Sequence, residues 1–192
     1  MQELITLRES ARASGEPVLR PKTFDLLLKI AKEKELKNIL EIGTSVGLTG
    51  TALLLRNPKA KLTGIEIDEE KVKIAKENYK RFNVFDRAKI FLGSAGEIIP
   101  ILSGEYDLIF LDGPKGHYAE YLPNLLPLLK VGGILFADDV YFHGFVFGET
   151  PKKHNTIKHS LENYLYEVTH NDDLKTEILD LEDGVSISEK IK

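Results

Sequence analysis

Short apolar runs alternate along the chain with longer stretches in which apolar residues recur every three or four positions. The short runs predict strands over residues 39–42, 62–67, 89–92, 107–111 and 134–137. The longer stretches predict helices over residues 2–13, 21–36, 68–82 and 118–129, together with a helix that ends at Arg56. Pro123 and Pro127 lie inside the stretch 118–129 and should kink or shorten that helix.

Strands that alternate with helices are typical of parallel βαβ units. The C-terminal part differs, because residues 175–182 and 185–190 are alternating runs joined by Asp183-Gly184, a dipeptide typical of hairpin turns. We therefore predict an α/β fold with a doubly wound, mostly parallel seven-stranded sheet that finishes in an antiparallel hairpin. Residues 1–192 show no repeat and no linker rich in Pro, Gly or Ser, so we expect a single domain with N-terminal helices.

Composition and charge narrow the possible classes of function. None of the 192 residues is cysteine, which excludes disulfides, thiolate metal sites and cysteine nucleophiles. The formal net charge of -4 disfavours a protein that coats nucleic acid through bulk charge. No apolar run approaches the roughly 18 residues of a membrane helix, and residues 1–15 carry charges where a signal peptide needs an apolar core. We expect a soluble, cytoplasmic protein without a membrane partner.

A glycine-rich turn follows the first predicted strand. Gly43, Gly47 and Gly50 stand where missing side chains let the backbone turn tightly and approach a ligand. Glu66 ends the next strand, where a carboxylate can accept hydrogen bonds from both hydroxyls of a ribose. Ser45 occupies the place of the second glycine in G-x-G-x-x-G, which disfavours NAD. The alternative is a turn that only packs a helix against the sheet.

Three acids follow two successive predicted strands at their carboxyl ends. Asp112 ends the strand in YDLIFLD, and Asp138 and Asp139 end the next. Open α/β sheets bind ligands at that edge, and converging carboxylates repel one another unless a cation lies between them. Oxygen ligands suit Mg²⁺ or another hard divalent ion, so we predict a metal site. Each acid taken singly has the alternative role of a helix cap or turn former.

Lys115 stands three residues after Asp112, in the loop over the predicted ion. A metal ion and its neighbours would depress the pKa of this lysine, and the neutral amine could then take a proton from a hydroxyl substrate. The alternative is an ordinary solvated lysine. We predict the catalytic role.

The pattern E-x-G-x-x-x-G resembles the first motif of class I methyltransferases, which have a Rossmann-like fold and bind S-adenosylmethionine. From about Pro17 onward, the chain resembles the cation-dependent O-methyltransferases, the family of catechol and caffeoyl-coenzyme A methyltransferases. This resemblance implies that Asp112, Asp138 and Asp139 hold the divalent ion and that Lys115 is the catalytic base. It also places Asp112 close to the reacting end of the cofactor. Asp139 departs from the family pattern, which usually has Asn there.

The resemblance also implies a cofactor pocket around the glycine turn. The residues expected to bind S-adenosylmethionine are Leu19, Glu41, Gly43, Ser45, Gly47, Thr49, Glu66, Ser94, Ala95 and Asp112. Ser94 is a departure, since many members of the family have Asp at this position. A serine hydroxyl can still donate or accept a hydrogen bond there.

The predicted methyl acceptor comes from a closer resemblance. The strings LDGPKGHYAEYL, ADDVYFHGFV, PKKHNTI and LKTEILDLEDGVSIS are similar to a bacterial branch that methylates 5-hydroxyuridine at the wobble position of transfer RNA. The branch implies that tRNA is the substrate and 5-methoxyuridine the product. His143 departs from the branch, which more usually has arginine there. Similar proteins are commonly dimers, so a homodimer is implied as well.

Local charge leaves the acceptor open. Two basic clusters could position an RNA backbone, and they consist of Arg8, Arg12, Arg20 and Lys22, and of Lys152, Lys153, His154, Lys158 and His159. The alternative for both clusters is a solvated helix face. Against RNA, residues 161–192 carry nine acids and three lysines. Tyr141, Phe142, Phe145 and Phe147 could stack on a flipped base or a catechol ring, or belong to a core or dimer interface.

Two alternatives to tRNA methylation therefore remain. The first is the same metal-dependent chemistry on a small catechol-like phenol or a caffeoyl-CoA-like substrate. The second is a non-catalytic or NAD-binding protein with a Rossmann-like fold. Chelator-sensitive methyl transfer is expected of both methyltransferase hypotheses and not of the second alternative.

Overall fold

Seven strands of the described chain form one sheet in the order β3-β2-β1-β4-β5-β7-β6. The structure is a computed structural model that describes residues 1–148 and 151–192. The strands are β1 (Asn38–Ile42), β2 (Lys61–Glu66), β3 (Ala88–Leu92), β4 (Tyr106–Leu111), β5 (Leu129–Asp138), β6 (Leu174–Leu179) and β7 (Val185–Lys190). The first five are parallel, and β7 pairs antiparallel with both β5 and β6. The predicted fold class is confirmed.

Helices cover both faces of the sheet. They are α1 (Gln2–Ala13), α2 (Pro21–Glu33), α3 (Leu48–Arg56), α4 (Glu69–Arg81), α5 (Ala95–Ile98), α6 (Tyr118–Leu125) and α7 (Asn155–His170). One core cluster joins the sheet to α1, α2, α3 and Tyr79 of α4, and a second joins it to α5, α6 and α7. Side chains alternate across β1, so that Ile39 belongs to the first cluster and Leu40 to the second. No helix in the described ranges is long and apolar enough to cross a membrane.

The carboxyl ends of β1, β2, β4 and β5 meet at one edge of the sheet. Strand β1 lies between β2 and β4 in the sheet. The chain therefore runs from β1 to β2 and β3 on one side, and then crosses to β4 and β5 on the other side of β1. Such a reversal opens a crevice between the two loops that leave the strands, and open α/β sheets bind ligands there. The glycine turn after β1 and the acids after β4 and β5 lie at this point.

Several element boundaries differ from the predicted ones. Helix α2 ends at Glu33 rather than at residue 36, because Glu35 has a left-handed backbone with φ +48°. Helix α6 ends at Leu125, and Pro127 lies in a separate turn of 3₁₀ helix, as the prolines indicated. Strand β5 begins at Leu129, five residues before the predicted start, because Leu129 pairs with Tyr106 beyond a register shift.

Two C-terminal features differ more strongly. Helix α7 was not predicted, although its buried residues Leu161, Tyr164 and Val168 recur at helical spacing. The hairpin was predicted with a two-residue turn, which is wrong, since Leu179 pairs with Val185 and leaves residues 180–184 in the loop. Asp183 is buried in that loop, where its carboxylate accepts a hydrogen bond from the backbone N–H of His143 at 2.7 Å. The longer loop therefore reaches across to the segment after β5.

Candidate active site

The glycine turn brings the ends of β1 and β4 into direct contact. Gly43 has φ +88°, and a Cβ atom built on it would lie 2.3 Å from the carbonyl oxygen of Asp112. The backbone N–H of Asp112 in turn donates to the carbonyl oxygen of Ile42 at 3.0 Å. Any side chain at residue 43 would push the two strand ends apart.

Glu66 holds the turn from the side of β2. One carboxylate oxygen accepts a hydrogen bond from the backbone N–H of Ser45 at 2.7 Å. The other accepts from the backbone N–H groups of Ile67 and Asp68 at 2.9 and 3.0 Å. Glu66 is 9% exposed, so these bonds fix a largely buried carboxylate at the edge of the crevice.

The crevice itself is a cavity of about 380 Å³. It brings together six of the predicted cofactor-binding residues, namely Gly43, Ser45, Glu66, Ser94, Ala95 and Asp112. A smaller adjoining cavity is lined by Leu19 and Thr49 and shares Gly43, Ser45 and Asp112 with the larger one. Eight of the ten predicted residues thus line one continuous region of the surface.

Glu41 and Gly47 line neither of these cavities. Glu41 is completely buried beneath the turn, and burial raises the pKa of its carboxyl group to about 8. A Cβ atom on Gly47 would lie 2.9 Å from Cβ of Ala75, so this glycine permits close packing of α3 on α4. Both residues lie beneath the turn and support it. Their positions favour this structural role over direct contact with the cofactor.

Asp112, Asp138 and Asp139 converge as the sequence predicted. Each offers a carboxylate oxygen, and the three atoms lie within 4.8 Å of one another. We call these residues the acid triad. Burial raises the pKa of Asp138 to about 8 and that of Asp112 above its usual range, and repulsion among the carboxylates adds to both shifts.

Two basic side chains neutralise part of this charge. Nζ of Lys115 donates to Oδ1 of Asp112 at 2.6 Å and lies 3.7 Å from Oδ2 of Asp139. Arg20 hydrogen-bonds Asp139 through Nη1. Burial would lower the pKa of Lys115, but the carboxylates outweigh burial and raise it well above its usual value. Among the described residues Lys115 is therefore a charged partner of the triad.

The acid triad fits a hard divalent cation. Its donor atoms are all carboxylate oxygens, which Mg²⁺ and similar ions prefer. Oδ1 of Asp138 is buried and has no hydrogen-bond partner among the residues that the structure describes. A buried carboxylate oxygen without a partner is costly unless a cation or a donor meets it. Asp112 belongs to both the triad and the crevice, so the two sites share a wall.

Sequence reasoning missed two residues that support the triad. The hydroxyl of Tyr118 lies within hydrogen-bond distance of the carbonyl oxygens of Leu111 and Asp138, at 3.0 and 3.2 Å, and so ties together the ends of β4 and β5. Asp183 lies with its Oδ2 atom 3.5 Å from Nη2 of Arg20. A tyrosine and an aspartate are common in helices and turns, so neither carries a local signal for this role.

The N-terminal basic cluster is not a set of free charges. Arg8 is buried, donates to the carbonyl oxygen of Leu19 at 2.6 Å and stacks its guanidinium 3.3 Å above the ring centroid of Phe24. Arg20 is engaged with Asp139 and Asp183. These two arginines match neither the expected RNA contact nor the alternative of a solvated helix face.

The aromatic residues after β5 lie at the margin of the core, where Tyr141 and Phe142 are partly buried against the second core cluster. Tyr141 and Phe147 meet edge to face with ring centroids 4.6 Å apart, and Phe147 is 70% exposed. The ring of Phe145 stacks on His154, 5.7 Å away, just before α7. Tyr141, Phe145 and Phe147 belong to the segment that directly follows Asp138 and Asp139 in the chain.

A doubly wound sheet with a ligand crevice at its strand reversal is typical of Rossmann-like folds that bind a nucleotide cofactor, and here three converging acids lie beside that crevice. The model of the O-methyltransferase family matches residues 12–191. The chain therefore belongs to the O-methyltransferase family, and the predicted enzyme class is confirmed at that level. Family membership also sets aside the alternative of an NAD-binding protein.

Particular relatives agree with this assignment. A catechol O-methyltransferase from Niastella koreensis is 31% identical over 153 residues, which cover 76% of this chain and 69% of that protein. The O-methyltransferase hkm8 from Aspergillus hancockii is 31% identical over 143 residues, covering 71% of this chain and 57% of that protein. Among solved structures, the SAH-bound methyltransferase PaMTH1 from Podospora anserina is 25% identical with a TM-score of 0.86, covering 97% of this chain and 87% of that one. The chain thus spans a little over half to about two thirds of the two sequence relatives.

Proposed function

We propose that this protein transfers the methyl group of S-adenosylmethionine to an oxygen of an acceptor, in a reaction that depends on a divalent cation. The observation that carries the proposal is the convergence of Asp112, Asp138 and Asp139 within 4.8 Å beside the crevice. The sulfonium donor is already activated, so the protein has to align the reactants and favour a deprotonated acceptor. A cation site that adjoins the cofactor crevice meets both requirements.

The crevice supports binding of S-adenosylmethionine. Glu66 lines the crevice with a carboxylate that can accept a hydrogen bond from a ribose hydroxyl, and the solved structure from Podospora anserina is SAH-bound. A carboxylate has about four lone-pair sites, of which three in Glu66 accept backbone N–H groups. About one lone-pair site of the Glu66 carboxylate is left free. One ribose hydroxyl can therefore donate to that site, and a second hydroxyl would have to share a carboxylate oxygen with a backbone N–H.

Asp112, Asp138 and Asp139 would hold the cation, with Oδ1 of Asp138 as the oxygen most in need of a partner. A divalent ion in this position supplies a Lewis acid that lowers the pKa of a hydroxyl group. Tyr118 fixes the strand ends that carry Asp112 and Asp138. The chain therefore holds these ligands on two paired strands rather than on mobile loops.

Lys115 is the candidate for receiving the acceptor proton. Its Nζ atom lies at the wall shared by the crevice and the triad, 2.6 Å from Asp112. While the carboxylates are its only charged neighbours, Lys115 stays protonated and holds Asp112 in place. It can take a proton only when those carboxylates are engaged elsewhere, which makes its catalytic role conditional on an occupied triad.

A catechol-type phenol is the acceptor that we favour. Two neighbouring oxygens can chelate one cation, and the relative from Niastella koreensis is named a catechol O-methyltransferase. The structure also weakens the electrostatic case for RNA, because Arg8 and Arg20 are engaged inside the chain. The order of the two acceptors is therefore reversed relative to the prediction from sequence.

Methylation of tRNA at 5-hydroxyuridine is the second candidate. The exposed residues Lys152 and Lys153 lead into α7, and a Cβ atom on Gly116 would lie 3.7 Å from Cγ1 of Ile157 in that helix. The basic start of α7 therefore lies beside the loop that carries Lys115. An RNA backbone on this surface could present a nucleobase hydroxyl to the triad.

Transfer of labelled methyl from S-adenosylmethionine tests the proposal. We would offer catechol and tRNA containing 5-hydroxyuridine in parallel, each with and without a chelator, and use Asp112→Asn as the inactive reference. Chelator-sensitive labelling of catechol well above tRNA supports the favoured acceptor, and the reverse assigns the tRNA function. Labelling that persists in chelator contradicts the metal requirement. The homodimer implied by the resemblance stays a prediction.

A further inference from the structure

Arg20 links three parts of the chain at the acid triad. It is the last residue before α2, and its guanidinium bonds Oδ1 of Asp139 through Nη1. Nη2 lies 3.5 Å from Oδ2 of Asp183 in the loop between β6 and β7. The N-terminal segment, the end of β5 and the C-terminal hairpin loop therefore meet at one side chain.

The contacts of Asp139 divide its two oxygens. Oδ1 faces Arg20, whereas Oδ2 faces the inside of the triad, 3.7 Å from Nζ of Lys115. The side chain of Asp139 is 28% exposed, and its backbone has φ +55°. Arg20 and Lys115 therefore lie on opposite oxygens of this half-buried carboxylate.

Arg20 also changes the net charge at the acid triad. With all three carboxylates ionised, as they would be around a bound cation, the triad carries three negative charges, and Lys115 and Arg20 in contact with it carry two positive ones. Removing Arg20 makes this sum one unit more negative, and replacing Asp139 by Asn makes it one unit less negative. Changing both residues restores the original sum.

We infer that Arg20 is a charge-balancing partner of the cation site, which pairs with Asp139 and offsets one negative charge, so that the Arg20–Asp139 pair sets the affinity of the triad for a divalent ion. This inference rests on the metal-dependent function proposed above. It also accounts for the departure at residue 139. A carboxylate paired with a guanidinium presents a ligand oxygen without adding net charge, as a neutral amide would.

The test is a titration with Mn²⁺ alone, read as free Mn²⁺ by electron paramagnetic resonance in the presence of S-adenosylhomocysteine, so that no turnover occurs. We expect Arg20→Gln to bind Mn²⁺ at least about tenfold more tightly than the unchanged protein, because a nearby positive charge is lost. Asp139→Asn should bind about tenfold more weakly for the opposite reason. The double variant should return to within about threefold of the unchanged protein, since the charges cancel again.

Three further variants make the result specific. Lys22→Gln removes one positive charge two residues away, where the side chain is exposed, and should change the affinity by less than about twofold because solvent screens that charge. Arg20→Lys keeps the charge and should stay closer to the unchanged protein than Arg20→Gln. Asp112→Ala should abolish Mn²⁺ binding, which locates the measured ion at the triad.

The failure of the inference is distinct from the failure of the proposed function. Unchanged or weaker Mn²⁺ binding by folded Arg20→Gln, with tight binding by the unchanged protein, would overturn the role of Arg20 alone. A double variant that binds as weakly as Asp139→Asn would do the same. If the unchanged protein binds S-adenosylhomocysteine but no Mn²⁺, the metal-dependent function itself is wrong. Thermal unfolding of each variant identifies any that fails to fold, and Arg20→Lys then provides the comparison.

Discussion

Glu66 supports the glycine turn, and in the proposed function it also binds the ribose of the cofactor. Its carboxylate already accepts three backbone hydrogen bonds and has about one lone-pair site left for a ribose. We expect Glu66→Gln to lower the affinity for S-adenosylmethionine by about ten- to a hundredfold, since hydrogen bonds to a charged group are worth roughly 1.5–3 kcal/mol. Isothermal titration calorimetry measures the change.

The matched control for Glu66 is Glu70→Gln on α4. Glu70 is exposed and pairs with Lys73 at 2.8 Å, away from the crevice. Its replacement should leave the cofactor affinity unchanged. Equal affinities of the two variants would show that the cofactor does not lie against Glu66.

If Lys115 receives the acceptor proton, its replacement should affect turnover rather than cofactor binding. We expect Lys115→Ala to lower kcat by about 100-fold, the size typical of a lost proton-transfer group, with a much smaller effect on cofactor affinity. Lys130 is the matched control, because it forms a comparable pair with Asp107, at 3.4 Å, at the opposite end of β4. We expect Lys130→Ala to keep the kcat of the unchanged protein. Equal kcat values for the two variants would remove Lys115 from the mechanism.

At the scale of elements, the close approach of β1 and β4 depends on Gly43. Gly43→Ala combines a left-handed backbone with a clash against the carbonyl of Asp112, so we expect it to lower the free energy of unfolding by about 2–5 kcal/mol. Gly15→Ala shares the positive φ but has nothing within 4 Å, and should cost only about 1–2 kcal/mol. Urea denaturation measures both variants. Equal losses would mean that the strand ends can move apart freely.

The seven strands and the helices α1, α2, α3, α4 and α6 could be predicted because each carries its own periodic pattern, whereas α5 and α7 were not predicted. Asp112 and Asp138 could be placed together for the same reason, since parallel strands bring their carboxyl ends to one edge of the sheet. The length of the loop at residues 180–184 could not be predicted, because tertiary contacts override the strong local turn signal of Asp183-Gly184. Asp183 binds the backbone of His143, and Gly184 packs so closely on Tyr141 that a Cβ atom would lie 2.4 Å from its Cγ.

The role of Arg20 was beyond sequence reasoning for a different reason. It lies 119 positions from Asp139, and its neighbours Arg8, Arg12 and Lys22 suggested a basic surface. Nothing in a single sequence shows which basic residue turns inward. The candidate catalytic residues stand in sequence motifs, whereas the contact between Arg20 and Asp139 depends on the assembled fold.

For the whole molecule, the buried carboxyl group of Glu41 links stability to pH. Burial raises the pKa of Glu41 to about 8 in the folded protein, above its ordinary value in an unfolded chain. The folded state then keeps a proton that the unfolded state releases. The free energy of unfolding should fall as the pH rises from about 4.5 to about 8, and stay level above that range with respect to this group.

Glu41→Gln isolates this contribution. The variant is neutral throughout, so between pH 5 and 8 its stability should decline by roughly 2–4 kcal/mol less than that of the unchanged protein, at about 1.4 kcal/mol for each unit of pKa shift. Asp138, whose pKa is also raised to about 8, is present in both proteins and cancels from the comparison. Chemical denaturation at several pH values gives both curves. Parallel curves would mean that Glu41 is ionised in the folded state.

The position of β7 between β5 and β6 has a consequence for synthesis. Strand β5 ends in Asp138 and pairs with β7 over residues 134–138, yet β7 follows β5 by almost fifty residues in the chain. Until β7 leaves the ribosome, that side of β5 exposes unpaired backbone groups to other chains. Between the synthesis of β5 and that of β7, the edge of β5 is unpaired, and the nascent chain is most prone to aggregate in this interval.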